Sequence, residues 1–472
     1  GALARWLGCR GYTPGPETAG KEATMPRYLL WCTLVAVGAA ASTSGQPAPA
    51  LPAAEARLKL ASELDAYLFE HVLKPRFPRC VDREHGGFHT DYSRDWSPLQ
   101  DRSRFIVYEA RVTWTAATVA QLRPETRTEY LPYVRHGVRY LADVMWDREH
   151  GGFHTVMDLS GRPLQGAMFG SRPVYGQAFA VYGLAAAHAA TGDEEPLDLT
   201  RRGWRWIEDH YRDDLGPGYR SGVHSDGTPF PVPKDAAASK VDSIEGPALD
   251  RTMNDHIHLL EAYAELLRSW PDPDLRQRTE ELLAFVRDRI FVEPGCLYFA
   301  LHPDGRAVPA PVSFGHDVET AFLMIEAEEA LGRRPSAPTL RAARMLVDHA
   351  LARGFDAARG QLFELGSAYG QPVDRSVEWW GQFETWNALF LMDEIHGKET
   401  GRYRDAGLKA WALTRDAFTD RQHPGVCPRM DERGEVHCES KSHMWFASYH
   451  TARALLLTAD RLRGESPASS SR

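Results

Sequence analysis

The nine-residue string DREHGGFHT occurs twice, at residues 82–90 and again at residues 147–155, an offset of 65. Chance does not give an identical string of that length, and a fixed period of this size is the mark of a repeat architecture. Weaker copies keep the interval. A Gly in a loop-like context follows the end of a helical pattern at Gly87, Gly152, Gly218, Gly295, Gly360 and Gly425, with spacings of 65, 66, 77, 65 and 65. The one long spacing contains the polar, Pro- and Gly-bearing segment 234–246, and removing about 12 residues there restores the period. In most copies an aromatic or apolar residue follows the Gly, and a turn such as Asp226-Gly227, Asp304-Gly305 or Arg433-Gly434 comes shortly after, the signature of a short hairpin.

Each interval also holds two helical patterns. One set covers roughly 101–121, 172–190, 249–269, 314–332, 375–396 and 441–462, and the other roughly 54–74, 129–145, 197–211, 273–290, 337–353 and 402–417. Apolar residues recur at helical spacing within them, as at Leu259, Leu260, Tyr263, Leu266 and Leu267. Six such units either run on as an open solenoid or close into a ring. The last pattern is as apolar as the others and lacks a polar capping face, which predicts closure. The expected fold class is all-α: a single (α/α)6 barrel of six helix–helix–hairpin repeats, with short β-hairpins at one end.

The period accounts for residues 55–464 as one catalytic domain, so the length of 472 residues does not call for several domains. Residues 1–24 read as a leader or gene-model overhang, 25–42 as a signal peptide with a short apolar core after Met25, 43–54 as a linker and 465–472 as a disordered tail. The apolar stretch is shorter than the ~18 residues of a membrane span, so the mature chain is expected without one, secreted or periplasmic. A formal charge of −9 with no long basic run excludes nucleic acid as the natural partner. Beyond the leader four cysteines remain, Cys80, Cys296, Cys427 and Cys438. Cys427 and Cys438 flank a turn and could face each other across a hairpin, as an exported protein allows.

The helices that follow the hairpins carry polar residues on otherwise apolar stretches. Counted from each repeat's Gly, Arg111, Gln177, His316, Glu319, Gln382, Glu384 and His450 fall between 21 and 25 residues on. His258 joins them once the insertion is removed. Equal offsets in equivalent helices put these groups at similar depth around one end of a barrel, where a closed ring has its cavity. Asn254 and His258 are spaced i,i+4, while His258 with Glu261 and His316 with Glu319 are i,i+3, so each set shares a helix face. A carboxylate one turn from an imidazole fixes its tautomer and raises its basicity. Trp380 and Trp445 lie close in sequence to Glu384 and His450 and are candidates for stacking on a sugar ring.

Imidazoles both take and give protons near neutral pH, so three His and an Arg around an aromatic pocket point to proton transfer rather than nucleophilic attack. Two imidazoles on opposite faces of a carbon next to a carbonyl can remove a proton from one face and return one to the other, while Arg111 stabilises the enediolate between. The product is an epimer. Metal chemistry is not expected: there is no His-Glu-x-x-His pattern, and His256 and His258 point to different helix faces. Neither a Gly-x-Ser-x-Gly elbow nor a phosphate-binding Gly loop occurs.

The stretch Tyr108-Glu109-Ala110-Arg111 with Trp114, and the runs NDHIHLLEA (254–262), FGHDVE (314–319), EWWGQFE (378–384) and WFASYH (445–450), taken in this order, resemble the N-acylglucosamine 2-epimerase superfamily over about residues 55–462. Cellobiose and mannobiose 2-epimerases and aldose–ketose isomerases are among its members. The resemblance implies an (α/α)6 barrel, no cofactor, and His316 with His450 as the general acid/base pair. It further assigns His258 to the neighbourhood of C1, Arg111 to the enediolate, and Glu261, Glu319 and Glu384 to support of these groups. Trp380 and Trp445 would stack on the sugar, and Asn254, placed on the His258 face by its spacing, is a further substrate-binding candidate. Two positions depart: the family usually has Gln where Glu109 stands, and disaccharide epimerases carry Trp, a platform for a second sugar, where Phe322 stands. Phe322 can still stack on a sugar and is a substrate-binding candidate, but a preference for disaccharides is weakened.

The expected partner is a small reducing sugar, of N-acylglucosamine or cellobiose/mannobiose type, and a homodimer is compatible with the sequence. An aldose–ketose isomerase acting on mannose-type sugars is the close alternative. Inverting glycosidases also occur on helical barrels with paired carboxylates, and Asp82, Asp147 and Asp317 keep that reading open, as does a non-catalytic sugar- or protein-binding scaffold.

Overall fold

The 65-residue period is realised as helices of two kinds in alternation. The computed structural model describes residues 53–100, 102–164, 171–232, 243 and 246–464. Leader, signal, most of the linker, the tail and nearly all of the 234–246 insertion lie outside the described residues. Residues from Arg57 onward form one contact-connected unit. Its long helices, in chain order, are α1 (Ala53–Tyr67), α2 (Ile106–Leu122), α3 (Arg127–Tyr140), α4 (Val174–Thr191), α5 (Glu194–Tyr211), α6 (Met253–Ser269), α7 (Pro273–Phe285), α8 (Phe314–Ala330), α9 (Ala337–Arg353), α10 (Trp379–His396), α11 (Arg402–Ala417) and α12 (Tyr449–Arg463).

Odd-numbered helices bury one stripe. In α5, Leu197, Thr200, Trp204, Ile207 and Tyr211 recur at three- and four-residue steps, with Pro196, Leu199, Gly203 and Trp206 buried beside them, while Asp198, Arg202, Arg205 and Asp209 face solvent. Even-numbered helices are buried nearly all round, as in α10, where every residue from Trp379 to Met392 is buried. A helix with no solvent face must be enclosed by others. Local signals set the ends: Asp272 caps α7 by accepting from Asp274 N and Leu275 N, with Pro273 in the first turn, and α4 stops at Gly192, whose φ is +73°. The expected stretches to 74, 145 and 290 are helical throughout, but each finishes in a π-helical turn, Leu68–Leu73, Leu141–Met145 or Val286–Ile290. The last inner helix begins at Tyr449 rather than near 441, because Ser440–Ser442 is a strand.

The even helices contact one another in cyclic order: α2 with α4, α4 with α6, α6 with α8, α8 with α10, α10 with α12, and α12 back with α2. The short strands repeat this order independently. The strand entering each inner helix pairs with the strand beyond the Gly of the next repeat: Ser103–Phe105 with Val156–Asp158, Ser171–Pro173 with Gly222–His224, and Arg251–Thr252 with Ala300–Leu301. Val312–Ser313 then pairs with Leu365–Gly366, and Val377–Glu378 with Arg429–Met430. Ser440–Ser442 returns to Tyr92–Ser93, joining the sixth repeat to the first. The expected hairpins are thus only part of the strand pattern, since these pairings run between repeats.

The repeated string explains itself as a turn. Gly87 and Gly152 have φ of +65° and +69°, and a Cβ would fall 2.8 Å from the Glu109 carboxylate in the first and 2.7 Å from the Trp206 indole in the second. Asp82 accepts from the amides of Glu84 and His85 and from Arg104, and Asp147 does the same with Glu149, His150 and Arg172. Burial opposes ionisation of both carboxyls, but these donors outweigh it and hold each at about 2. A depressed carboxyl stabilises the fold fully above its unfolded value near ~3.9 and loses that contribution as pH falls. The difference in denaturant midpoint between the wild type and Asp147→Asn should therefore be flat from pH 7 to 4 and shrink between pH 4 and about 2. Cys427 and Cys438 are joined by a disulfide, and Cys80 and Cys296 are buried thiols.

Candidate active site

Three imidazoles from three inner helices are each oriented through Nδ1. His258 on α6 meets Glu261 Oε2 at 2.9 Å, His316 on α8 meets Ser313 Oγ at 2.8 Å, and His450 on α12 meets Glu384 Oε1 of α10 at 2.9 Å. Trp380 links two of them, its ring 4.6 Å from that of His316 and 5.6 Å from that of His450. The close approach is made by glycine: Gly315 of α8 lies against Trp380 and Gly381 of α10, and a Cβ there would fall 2.6 Å from the Trp380 ring. Arg111 on α2 donates to Tyr175 Oη at 2.9 Å and to the Trp445 carbonyl at 3.4 Å, with its guanidinium 4.3 Å from the Phe179 ring centre. Tyr175 in turn sits edge-on to His258 at 5.3 Å. Trp445 is partly exposed, with its ring 6.3 Å from that of Tyr175. Asn254, one turn before His258, is buried, and its Oδ1 has no hydrogen-bond partner among the described residues.

Beneath the histidines lies a cluster of charge. Arg453 donates to Glu261, Glu319 and Glu384, which come from α6, α8 and α10, and to the Tyr449 hydroxyl. Tyr449 donates to Glu261 at 2.5 Å. Burial works against the Glu261 carboxylate, but Arg453, His258 and Tyr449 outweigh it and hold it at about 2. Glu384 goes the other way: burial pushes it up against the pull of Arg453, and Glu319 adds to the rise. His450 is driven well below its ordinary range by burial and by the fields of Arg111, Arg453, His258 and His316, which favours its neutral form. These five groups come from four inner helices, α2, α6, α8 and α12, and converge on one site. Glu319, Glu384 and His450 bring donor atoms within 4.8 Å of one another, but Arg453 Nη2 bonds both carboxylates and already supplies their cation.

The N-acylglucosamine 2-epimerase (GlcNAc 2-epimerase) family profile matches residues 86–454, more than three quarters of the chain. The chain belongs to this family. It is therefore a carbohydrate epimerase, an isomerase by class. A cellobiose 2-epimerase of Bacteroides fragilis is 27% identical over 396 residues, covering 84% of this chain and 97% of that protein. The solved cellobiose 2-epimerase of Spirochaeta thermophila is 30% identical, with a TM-score of 0.75 over 87% of this chain and 98% of that one. A solved D-mannose isomerase, 20% identical, shares the fold with a TM-score of 0.73 over 87% of this chain and 99% of its own.

Within this family member the polar residues at equal offsets divide into two classes. Gln177 and Gln382 do not join the histidines. Gln177 accepts from Phe153 N at 2.8 Å and Gln382 from Leu362 N at 3.1 Å, pinning each repeat's Gly turn to its inner helix. Glu109, His256 and Asp317 do the same for Phe88, Tyr219 and Leu297. Glu109 in place of Gln thus faces the turn, where Arg104 Nε stands 3.9 Å away. Asp82, Asp147 and Asp317 all have such anchoring duties, which removes them as a glycosidase pair. Phe322 is only 1% exposed, and its ring lies 4.8 Å beneath the Arg453 guanidinium, so it floors the ion cluster instead of offering a platform to a second sugar. Arg453, Tyr175, Ser313 and Tyr449 were not anticipated. Arg453 could have been found, since it is i,i+3 from His450 in an apolar run and shares its helix face.

The Gly315 contact yields a test. Gly315→Ala places a methyl against the indole and displaces either Trp380 or α8, costing about 1–3 kcal/mol by overpacking. Turnover should fall at least tenfold, since the same shift separates His316 from His450. Thermal melting and kcat measured side by side check this, and an unchanged kcat would show that Trp380 does not set the spacing.

Proposed function

We propose that this protein inverts C2 of a reducing sugar, with cellobiose-type disaccharides first among candidates, by proton transfer between two histidines through an enediolate. The observation that supports it best is the Trp380 ring in contact with both the His316 and His450 imidazoles. In this reading an open-chain aldose lies against Trp380 and Trp445, one imidazole takes the C2 proton and the other returns a proton to the opposite face. Arg111 faces the oxygen on which negative charge grows. His258, backed by Glu261, serves ring opening at C1, and the open Oδ1 of Asn254 receives a sugar hydroxyl. Burial and the surrounding cations favour the neutral form of His450, which suits a group that must accept a proton. The chain's own residues carry every step of this scheme.

The cyclic order of the inner helices and strands supports the (α/α)6 barrel as the fold, with residues 55–464 as its single domain. Export after cleavage near residue 41 remains our reading of the leader, and N-terminal sequencing of secreted protein tests it. Incubation with cellobiose, mannobiose, mannose and N-acetylglucosamine in D₂O tests the reaction. Deuterium at C2 together with the epimer is the expected result, and no deuterium in any recovered sugar would overturn it. Ketose formation would instead favour the isomerase, which the shared fold with the D-mannose isomerase makes the second reading.

A further inference from the structure

We infer that Arg453 is a positioning residue for the reaction: by gathering Glu261, Glu319 and Glu384 into one ion cluster it sets the tautomer of His258 and His450 and the proton affinity of the His450–Glu384 pair. The inference rests on the reading of His450 as a proton-transferring group.

The connectivity carries it. Arg453 is 1% exposed and stands one turn beyond His450 on α12. Its two terminal nitrogens divide the work. Nη1 serves Glu261 and Tyr449, while Nη2 serves Glu319 and Glu384. The rings of Phe322 and Tyr449 lie 4.8 Å and 4.4 Å from the guanidinium carbon and fix its place. One side chain of α12 thereby ties down a carboxylate from each of three other helices. Two of those carboxylates hold histidines in turn, Glu261 at His258 Nδ1 and Glu384 at His450 Nδ1. A carboxylate that accepts from Nδ1–H leaves Nε2 as the free base. His316 is built differently, on the Ser313 hydroxyl, which can either accept or donate.

Charge explains why a guanidinium is needed. The groups facing the His450–Glu384 pair are Arg111 from α2, His258 and Glu261 from α6, His316 and Glu319 from α8, and Tyr449 and Arg453 from α12. Within the cluster three carboxylates meet one cation, an excess of negative charge that favours holding a proton. Removing Arg453 enlarges the excess, so the pair keeps its proton to higher pH and is available as a base only above it. Removing one carboxylate has the opposite sign. Lysine keeps the charge but lacks the planar fork that serves Glu261 and Tyr449 from one nitrogen and Glu319 and Glu384 from the other.

The test uses Arg453→Met, Arg453→Lys and Glu319→Gln in the full chain, with two readouts: NMR titration of ¹⁵N-labelled imidazoles, and the pH profile of kcat and KM with cellobiose. Arg453→Met should raise the His450 titration and the acid limb of kcat by at least one pH unit, and lower kcat at least 100-fold with KM within threefold. Arg453→Lys should restore most of the pH shift while kcat stays at least tenfold down. Glu319→Gln should move the titration downward. An unmoved His450 titration in Arg453→Met, or Glu319→Gln shifting it the same way, would overturn the inference. Should the Met variant not fold, the opposed signs expected of Glu319→Gln and of any residual shift in Arg453→Lys decide it. If the wild type leaves cellobiose unchanged, the proposed reaction with that sugar fails, while the imidazole titration still decides the role of Arg453.

Discussion

Replacing either His316 or His450 by Asn is expected to lower epimerisation by ~10²–10⁴-fold, the range supplied by a positioned general acid or base. The two losses should not add, because each histidine is needed in every turnover and the double variant removes the same step. The placement of the two rings around Trp380 makes a sharper prediction than loss of activity. If the imidazoles serve opposite faces of C2, each single variant keeps one competent base. It should still exchange the C2 proton of one epimer with D₂O slowly, without forming the other. His316→Asn and His450→Asn should then differ in which epimer they label. ¹H NMR of each pure epimer incubated with each variant measures this. Labelling of the same epimer by both variants would mean that one base does all the chemistry and the other histidine only orients the sugar. The folds should survive, since an Asn can still reach Ser313 or Glu384, and melting curves serve as the control.

Much of the architecture was legible because the sequence repeats itself. A period of 65 with a Gly at a fixed phase located the turns to the residue, and the inner helices betrayed themselves by being apolar all round. What the period could not separate was polar residues of different purpose. Gln177 and His450 have the same offset from their Gly, yet one bonds a turn amide and the other meets a carboxylate across the ring. Offset along a helix gives depth, whereas the direction a side chain takes around the helix is set by neighbours that only the closed ring supplies. Phe322 was misjudged for the same reason: it sits at the depth of the ion cluster, and nothing in its own helix announces Arg453 from α12 above it. Arg453 itself was passed over because a lone Arg near the end of a chain is ordinarily a solvated residue. Its burial follows from three acids, on three other helices, that converge only when the first and last repeats meet.

That meeting point is where a single substitution should cost most. Lys441 lies in the strand Ser440–Ser442 that pairs with Tyr92–Ser93, and its side chain is 0% exposed. Its Nζ donates to Asp420 Oδ2 at 3.0 Å, and Asp420 also accepts from Arg94 Nε at 2.7 Å, just beyond the first repeat's strand. The seam between the last and first repeats is thus tied by a buried charge with a partner on each side. Burial opposes ionisation of Asp420, but Arg94, Lys441 and the amides of Gln422 and His423 win and hold it low. Lys441→Met fills the space and removes the cation, leaving the carboxylate buried with a half-exposed Arg94 and two amides. Breaking a buried pair in this way costs about 3 kcal/mol or more. The deficit has a pH signature. With Lys441 gone the Asp420 carboxyl rises toward its ordinary value, so the wild type's advantage is complete above ~3.9 and shrinks as acid protonates the lone carboxylate. Denaturant unfolding at pH 7 and at about pH 2.5, below the ordinary carboxyl value, compares the two, and Asp420→Asn combined with Lys441→Met should recover a large part of the loss. Hydrogen exchange should show the opening confined to residues 440–448, the segment that delivers Trp445 to the site and leads into His450. A difference under about 1 kcal/mol at pH 7 would show that the ring is closed by helix packing alone and that the ion pair is dispensable.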